Sequence, residues 1–469
     1  MSDVLFGYIT ALTPINLIAA VISVAIGITI GALPGLSAAM GVALLIPITF
    51  GIDPSTGLIT LAGGYCGAIF GGSISAILIR TPGTPAAAAT AIDGYELTKQ
   101  GKAGTAITAS FISEILSGIP LYLFAPRLAL LFGSAEYFWL SIFGLTIIAG
   151  ASTKSIVKGL ISGALGLMLS TVGMDPMLGN ARFTFGVPTL LSGIPFTAAL
   201  IGLFSMSQVL MLAEKKIKEA GNMVEFDNKV LLSKEQILEI LPTFLRSTVI
   251  GSIIGILPGA GASIAAFLGY NEAKRFSKKK ELFGHGSIEG IAGAEAANNA
   301  VTGGSLIPTF TLGIPGESVT AVLLGGLMIQ GLQPGPDLFT VHRKITYTFF
   351  VGFVIVNIFM LILGLFGSKL FASVSRVSDN YLIPLIFSLS VIGSYAIKNQ
   401  MADVWVMFVF GIIGYFVQKF ELNSASIVLA LILGPIGESG LRRSLILNHN
   451  NYSILFQSAV SKVLLFLTL

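Results

Sequence analysis

From Leu17 to Ile30, and again from Phe349 to Phe366, the chain runs apolar with no charged residue and no every-second-residue alternation. Stretches like these fit helices buried in hydrocarbon, where about 20 mostly apolar residues span the bilayer and a helix satisfies its own backbone groups. A barrel strand would alternate apolar and polar residues. Charged residues are only 11% of the 469 and apolar residues 54%, whereas soluble chains carry roughly 25% charge. Allowing about 25 to 40 residues per span and loop, the chain is expected to be an all-α polytopic membrane protein. It should have about 10 to 12 transmembrane segments, with helical hairpins and broken helices among them.

The net charge of +4 fits cationic cytoplasmic loops and does not point to nucleic acid. Cys66 is the single cysteine, so no intrachain disulfide can form. Met1-Ser2-Asp3 lacks the basic start of a cleavable signal peptide, and insertion is expected to use the first span.

Glycine and proline then reveal a duplication. Gly27, Gly31 and Gly35 recur as Gly251, Gly255 and Gly259, and Leu33-Pro34-Gly35 as Leu257-Pro258-Gly259. Gly71-Gly72-Ser73 recurs as Gly303-Gly304-Ser305, and Pro82-Gly83 as Pro315-Gly316. A weaker echo joins Gly163 and Gly166 to Gly411 and Gly414. The order is kept throughout, which gives a first membrane repeat over 1–213, a hydrophilic cytoplasmic linker over 214–239, and a second repeat over 240–469.

Equivalent loops have opposite charge preferences. Lys274-Arg275-Phe276-Ser277-Lys278-Lys279-Lys280 follows the second Leu-Pro-Gly, but no Lys or Arg precedes Arg80 in the first copy. Lys99 and Lys102 follow the first Pro-Gly, whereas 330–337 after the second has no basic residue, Arg343 and Lys344 coming later. Under the positive-inside rule this is an inverted repeat. Only about 40 residues separate Lys234 from Lys274, too few for two spans and a turn. A hairpin tipped at Leu257-Pro258-Gly259 fits better, and the same reasoning covers residues 4–50 with a tip at Leu33-Pro34-Gly35.

Proline removes a backbone hydrogen bond and glycine permits unusual torsions, so Pro-Gly inside a span breaks the helix. Half-helix N-termini made this way offer N–H groups to carboxylates. The expected substrate site therefore comprises Gly72, Ser73, Arg80, Thr81, Pro82, Gly83 and Thr84 from one copy and Ser305, Pro315, Gly316 and Ser318 from the other. The hairpin tips add Pro34, Gly35, Ser37, Gly259, Gly261 and Ser263, and the polar stretch before Ser305 adds Asn298 and Asn299. Glu295, Asn299 and Glu317 are the candidates for cation coupling. Each has a plainer reading: Pro-Gly pairs also make surface turns, and Arg80 is either a carboxylate clamp or an interfacial helix end. Glu317 also suits the first turn of any helix, and the Gly/Ala-rich segment around Glu295 also suits tight helix packing.

No catalytic chemistry is evident. His285, His342 and His449 are scattered, and no phosphate-binding loop of the Walker type is present. The chain is not expected to be an enzyme, to need a cofactor or to hold a resident metal.

Several motifs together resemble a known family. Gly31-Ala32-Leu33-Pro34-Gly35, Tyr65 through Ser73, Thr81-Pro82-Gly83-Thr84 and Ile92-Asp93-Gly94-Tyr95 are similar to the large membrane subunit of tripartite tricarboxylate transporters. So are Glu289-Gly290, Glu295 through Ala300, Ile314 through Ser318 and Gln333-Pro334-Gly335-Pro336. Glu136-Tyr137-Phe138, Arg182-Phe183-Thr184-Phe185-Gly186 and Leu433-Gly434-Pro435 extend the likeness over nearly the whole chain. The resemblance implies a multi-pass permease of the bacterial inner membrane, working with a small membrane subunit and a periplasmic substrate-binding protein. It implies uptake of citrate or other tri- or dicarboxylates on a Na+ or proton gradient. At Arg80 the family pattern more often has a small polar residue, commonly Asn. Alternating access by an elevator-like movement of a core holding both hairpin tips is the expected mechanism. A self-sufficient carboxylate–cation symporter and a passive anion channel remain as alternatives.

Overall fold

The computed structural model describes residues 3–33, 36–80, 82–111, 125, 133–151, 155–175, 179–214, 232–258, 261–374 and 379–468. Pro34, Gly35, Thr81 and Gly259 of the expected site, and linker residues 215–231, lie outside them. Among the described residues, seven helices are long and apolar enough to cross a bilayer: Pro14–Ala32, Pro54–Ile79, Phe196–Glu214, Lys234–Ile256, Arg343–Gly367, Met401–Lys419 and Ser424–Leu447. Four shorter apolar helices, Ala38–Thr49, Ile156–Ser170, Ser318–Ile329 and Asn380–Ala396, accompany them. The strand content described is one two-residue antiparallel ladder, Gly173 against Arg182 and Met174 against Ala181.

Local chemistry sets where the helices begin. Pro14 and Pro54 stand in first turns, where a missing N–H costs nothing. Asp53 caps its helix by accepting from the N–H groups of Ser55 (2.9 Å) and Thr56 (3.3 Å). Ser233 and Gln236 form a reciprocal capping box at the start of the second repeat.

The two repeats share local geometry. Pro14–Ala32 ends at Leu33 (φ −81°, ψ 115°) and Lys234–Ile256 at Leu257 (φ −80°, ψ 115°). Each leucine donates its N–H to the carbonyl three residues earlier, Ile30 and Ile254, at 3.1 Å. After each tip a helix turns back, Ala38–Thr49 in one copy and Gly261–Phe276 in the other. Next comes a long helix, Pro54–Ile79 or Ile288–Leu312, packed on the hairpin's first arm through glycine. A Cβ on Gly31 would lie 2.1 Å from the Ala68 carbonyl oxygen, and one on Gly251 2.1 Å from that of Ala297. Only hydrogen fits there, and backbones meet directly.

Both long helices end in the left-handed region, at Arg80 (φ 55°) and Gly313 (φ 69°). The chain then doubles back beside the helix it has just left: the Gly83 N–H donates to the Gly72 carbonyl at 3.2 Å, and Gly316 rests on Ser305 and the Gly255 carbonyl. A shorter helix leads outward again, Thr90–Lys99 in one copy and Ser318–Ile329 in the other. These close alike at Gln100-Gly101 and Gln330-Gly331, with Gly101 and Gly331 at φ 74° and 75°.

Each of those glutamines reaches into the other repeat. Gln100 Nε2 donates to the His285 carbonyl at 2.9 Å, and Gln330 Nε2 to the Thr49 carbonyl at 2.7 Å. The Pro54–Ile79 helix starts at the Thr49 end of the molecule and Ile288–Leu312 at the His285 end, so the two run in opposite directions. The His285 end carries Lys99, Lys102, Lys274, Arg275 and Lys278–Lys280, which makes it the cytoplasmic end. Buried Asp93 fastens this end, its Oδ1 accepting from the N–H groups of Gly284, Gly286 and Ser287 at 2.8, 2.9 and 3.0 Å. The weaker glycine echo packs on different neighbours, Gly166 on Ile427 and Gly414 on Leu203.

Exposed Ile52 and Lys278 mark the two ends. In a Cys66→Ser background, Ile52→Cys should react with an impermeant maleimide from outside the cell and Lys278→Cys only from inside. Reaction of both from one side would rule out this arrangement.

Candidate substrate chamber

The four turning points of the two repeats converge on one cavity of about 630 Å³. Ser37 and Ser263 enter it from the hairpin tips, Thr84 and Pro85 from the first helix break, and Pro315, Glu317 and Ser318 from the second. Gly261 also lines it. Phe204, Gln208, Gln418 and Asn423 come from helices outside the paired hairpins and complete the wall. Glu421, exposed at the rim, pairs with Lys158 at 3.0 Å. Nearby Lys419 pairs with Glu214, the first residue of the lysine-rich linker, at 2.6 Å. The chamber therefore opens at the lysine-rich end.

Three helix N-termini face this space, those of Ala38–Thr49, Gly261–Phe276 and Ser318–Ile329. The Ser37 hydroxyl accepts from the Met40 N–H at 3.1 Å and so occupies part of the first. Glu317 precedes the third and bridges both repeats. Its carboxylate accepts from the Tyr65 hydroxyl on the Pro54–Ile79 helix and from the Ala262 N–H at 3.3 Å. The Tyr65 oxygen also lies 3.1 Å from Ser305 Oγ. A fully buried tyrosine thus couples the long helix of one half to the break of the other. No Lys or Arg lines the cavity among the described residues, and the donors it offers an anion are backbone N–H groups, hydroxyls and the side-chain amides of Gln208, Gln418 and Asn423.

The remaining expected residues sit around the chamber or away from it. Gly72, Gly83 and Gly316 form the tight backbone contacts behind the breaks, and Pro82 stands beside Gly83 ahead of the cavity wall. Ser73, Asn298 and Glu295 are fully buried in a separate polar cluster between the two long helices, with Asn299 close to fully buried on the same helix. There Glu295 accepts from the Thr90 hydroxyl and from Asn298 Nδ2 (3.4 Å). Ser73 stands beside Glu295 in this cluster, and the Asn298 side-chain oxygen Oδ1 has no hydrogen-bond partner among the described residues. Arg80 is exposed, caps its helix in the left-handed conformation and lies 5.8 Å from the Tyr95 ring centroid. It stands outside the chamber wall, in the position of a helix-end arginine.

Sequence reading missed Tyr65 as a site residue, although a lone tyrosine inside Gly63-Gly64-Tyr65-Cys66-Gly67 is a polar group in a span with nowhere to snorkel. Phe204, Gln208, Gln418 and Asn423 gave no local signal, because their helices approach the breaks only in three dimensions.

The family model for the tripartite tricarboxylate transporter TctA family matches residues 17–429. The chain belongs to that family. It is accordingly a membrane subunit of a transporter, and the family is one of transporters, not of enzymes. Among relatives, an uncharacterized 52.8 kDa protein in the TAR-I ttuC' 3' region of Agrobacterium vitis is 37% identical, over 99% of this chain and 94% of its own length. An uncharacterized protein in the TAR-II ttuC' 3' region of the same organism is 36% identical over 46% of this chain and 89% of its own length. No solved structure matches.

Removing the Tyr65 hydroxyl takes a hydrogen bond from buried Glu317 and leaves that acceptor unsatisfied, at a cost of about 1–3 kcal/mol. Tyr65→Phe and Glu317→Gln should each cut transport roughly ten- to hundredfold while leaving the chain in the membrane at normal abundance. Initial uptake rates set against the amount of inserted protein check this, and full activity in Tyr65→Phe would remove the bridge from the site.

Proposed function

We propose that this chain is the substrate-translocating permease of a binding-protein-dependent secondary transporter, importing a di- or tricarboxylate across the bacterial inner membrane. The observation that carries the reading is the convergence of three helix N-termini from inverted halves on one chamber whose described lining has no cationic side chain. Each N-terminus carries roughly half a positive charge, and its first-turn N–H groups are the kind that carboxylates accept from, as the Glu317 carboxylate already does from Ala262.

Coupling to Na+ or protons is assigned to the buried carboxylates. An ionised Glu317 beside the same N-termini repels an incoming anion, and a proton or Na+ on it lifts that repulsion. Ion and substrate then favour each other's binding by the same factor. Glu295, with Asn299 on the same helix, is the second candidate. No cofactor enters, since direction comes from the gradient.

In this reading the two hairpins and their long helices move as a core against Phe196–Glu214, Met401–Lys419 and Ser424–Leu447, in elevator fashion. A small membrane subunit flanks the chain, and a periplasmic binding protein delivers substrate to the face opposite the lysine-rich end.

Reconstituting the chain with both partner subunits in proteoliposomes tests the proposal. Saturable carboxylate uptake should require an imposed Na+ or proton gradient and the loaded binding protein. Ser263→Trp or Ser318→Trp, which fill the chamber, should abolish it without loss of insertion. Uptake that ignores the gradient, or that survives both tryptophans, would overturn the reading.

A further inference from the structure

A second cavity, of about 790 Å³, lies farther along the same helix interface. On the Ser318–Ile329 helix, Ser318 and Val319 face the chamber, while Leu324 and Met328 face the second cavity. On Phe196–Glu214, Phe204 and Gln208 face the chamber, and Phe196 and Ala199 the second cavity. Between them Leu200 presses on Gly325, where an added Cβ would come within 2.6 Å of its Cδ1. The two spaces thus lie along one seam, divided by an apolar septum.

The second cavity is lined by Gln333 and Pro334, which places it at the face opposite the lysine-rich end. Arginines are disfavoured on that face by the positive-inside rule, yet three cluster here. Arg182 pairs with Glu438 at 2.9 Å and lies 3.6 Å from Asp175, while Arg442 pairs with Asp175 at 2.9 Å and Glu438 at 2.8 Å. Arg443 lines the cavity, is exposed and has no ion pair among the described residues. Three guanidinium groups against two carboxylates leave one positive charge at the mouth of an otherwise largely apolar space. The motifs around Tyr137, Arg182 and Pro435, which the chamber does not use, all contribute to its wall.

We propose that this second cavity is an anion site on the outer face, where Arg443, with Arg182 behind it, receives a carboxylate on its way to the chamber. The proposal rests on the permease reading for the identity of the anion. A guanidinium fork matches a carboxylate in two parallel hydrogen bonds, and apolar walls such as Leu324, Met328 and Ile436 strengthen the attraction by excluding water. The phosphodiester of an acidic membrane lipid is also an oxyanion that a guanidinium fork can hold, and the test separates the two sources.

The experiment places the full chain, with Cys66→Ser and Ser439→Cys in the cavity wall, in nanodiscs of phosphatidylcholine alone or mixed with phosphatidylglycerol. It measures the rate of reaction with a charged maleimide. In the neutral lipid, citrate or succinate should slow labelling severalfold; Arg443→Ala should remove that protection and Arg443→Lys should keep part of it. Slowing by phosphatidylglycerol alone, lost in Arg443→Ala, also supports the anion site and assigns it to lipid. Labelling that no anion alters, or protection that survives Arg443→Ala, overturns the site. A chain that transports in proteoliposomes yet shows no protection refutes this site and leaves the permease reading intact. Protection in a chain that fails to transport does the reverse.

Discussion

In hydrocarbon an unpaired peptide group costs several kcal/mol, so a broken helix survives only where its freed groups find partners within the protein. Nearly everything about this chain follows from meeting that demand twice. At the first break the Gly83 N–H returns to the carbonyl of Gly72. At the second, Glu317 takes hydrogen bonds from Tyr65 and from the Ala262 backbone. The first break is closed within its own half, whereas the second takes one partner, Tyr65, from the opposite half, so the duplication bears on the site itself.

Inversion supplies the remaining geometry. Two hairpins entering from opposite faces each send a serine, Ser37 and Ser263, into the same cavity, and a helix starts beside each. Positive helix ends therefore gather where the chain is least regular. Glycine makes the approach feasible, since the long helices and hairpin arms touch backbone to backbone at Gly31 and Gly251. A methyl group at either place would push the elements apart and move the polar ends out of register.

Much of this was legible in the residues. The Leu-Pro-Gly and Pro-Gly pairs marked the tips and breaks because proline and glycine act on their own backbone. The loop lysines gave the inversion because topology responds to charge counted over short segments. The Gln100-Gly101 and Gln330-Gly331 echo was also in plain view, but two residues of ordinary composition carry no signal until their shared capping geometry is seen. The outer wall of the chamber was not legible, because Gln208 and Asn423 matter only through the packing of distant helices. Arg80 shows the opposite limit: an arginine in an apolar run looks costly until the chain is seen to turn at that residue and set its charge at the surface beside Tyr95.

The two glutamine contacts have a mechanical consequence. Gln100 ties one half to the His285 turn at the inner surface, and Gln330 ties the other to the Thr49 turn at the outer surface. Fastened across both faces and interlocked by glycine between them, the paired halves are tied to each other at both ends of their long helices. In the elevator reading proposed above, such a doubly tied block would move as one piece, and the give would fall to its boundary with the surrounding helices, where Phe196–Glu214 carries a π-helical turn at Ile201–Met206.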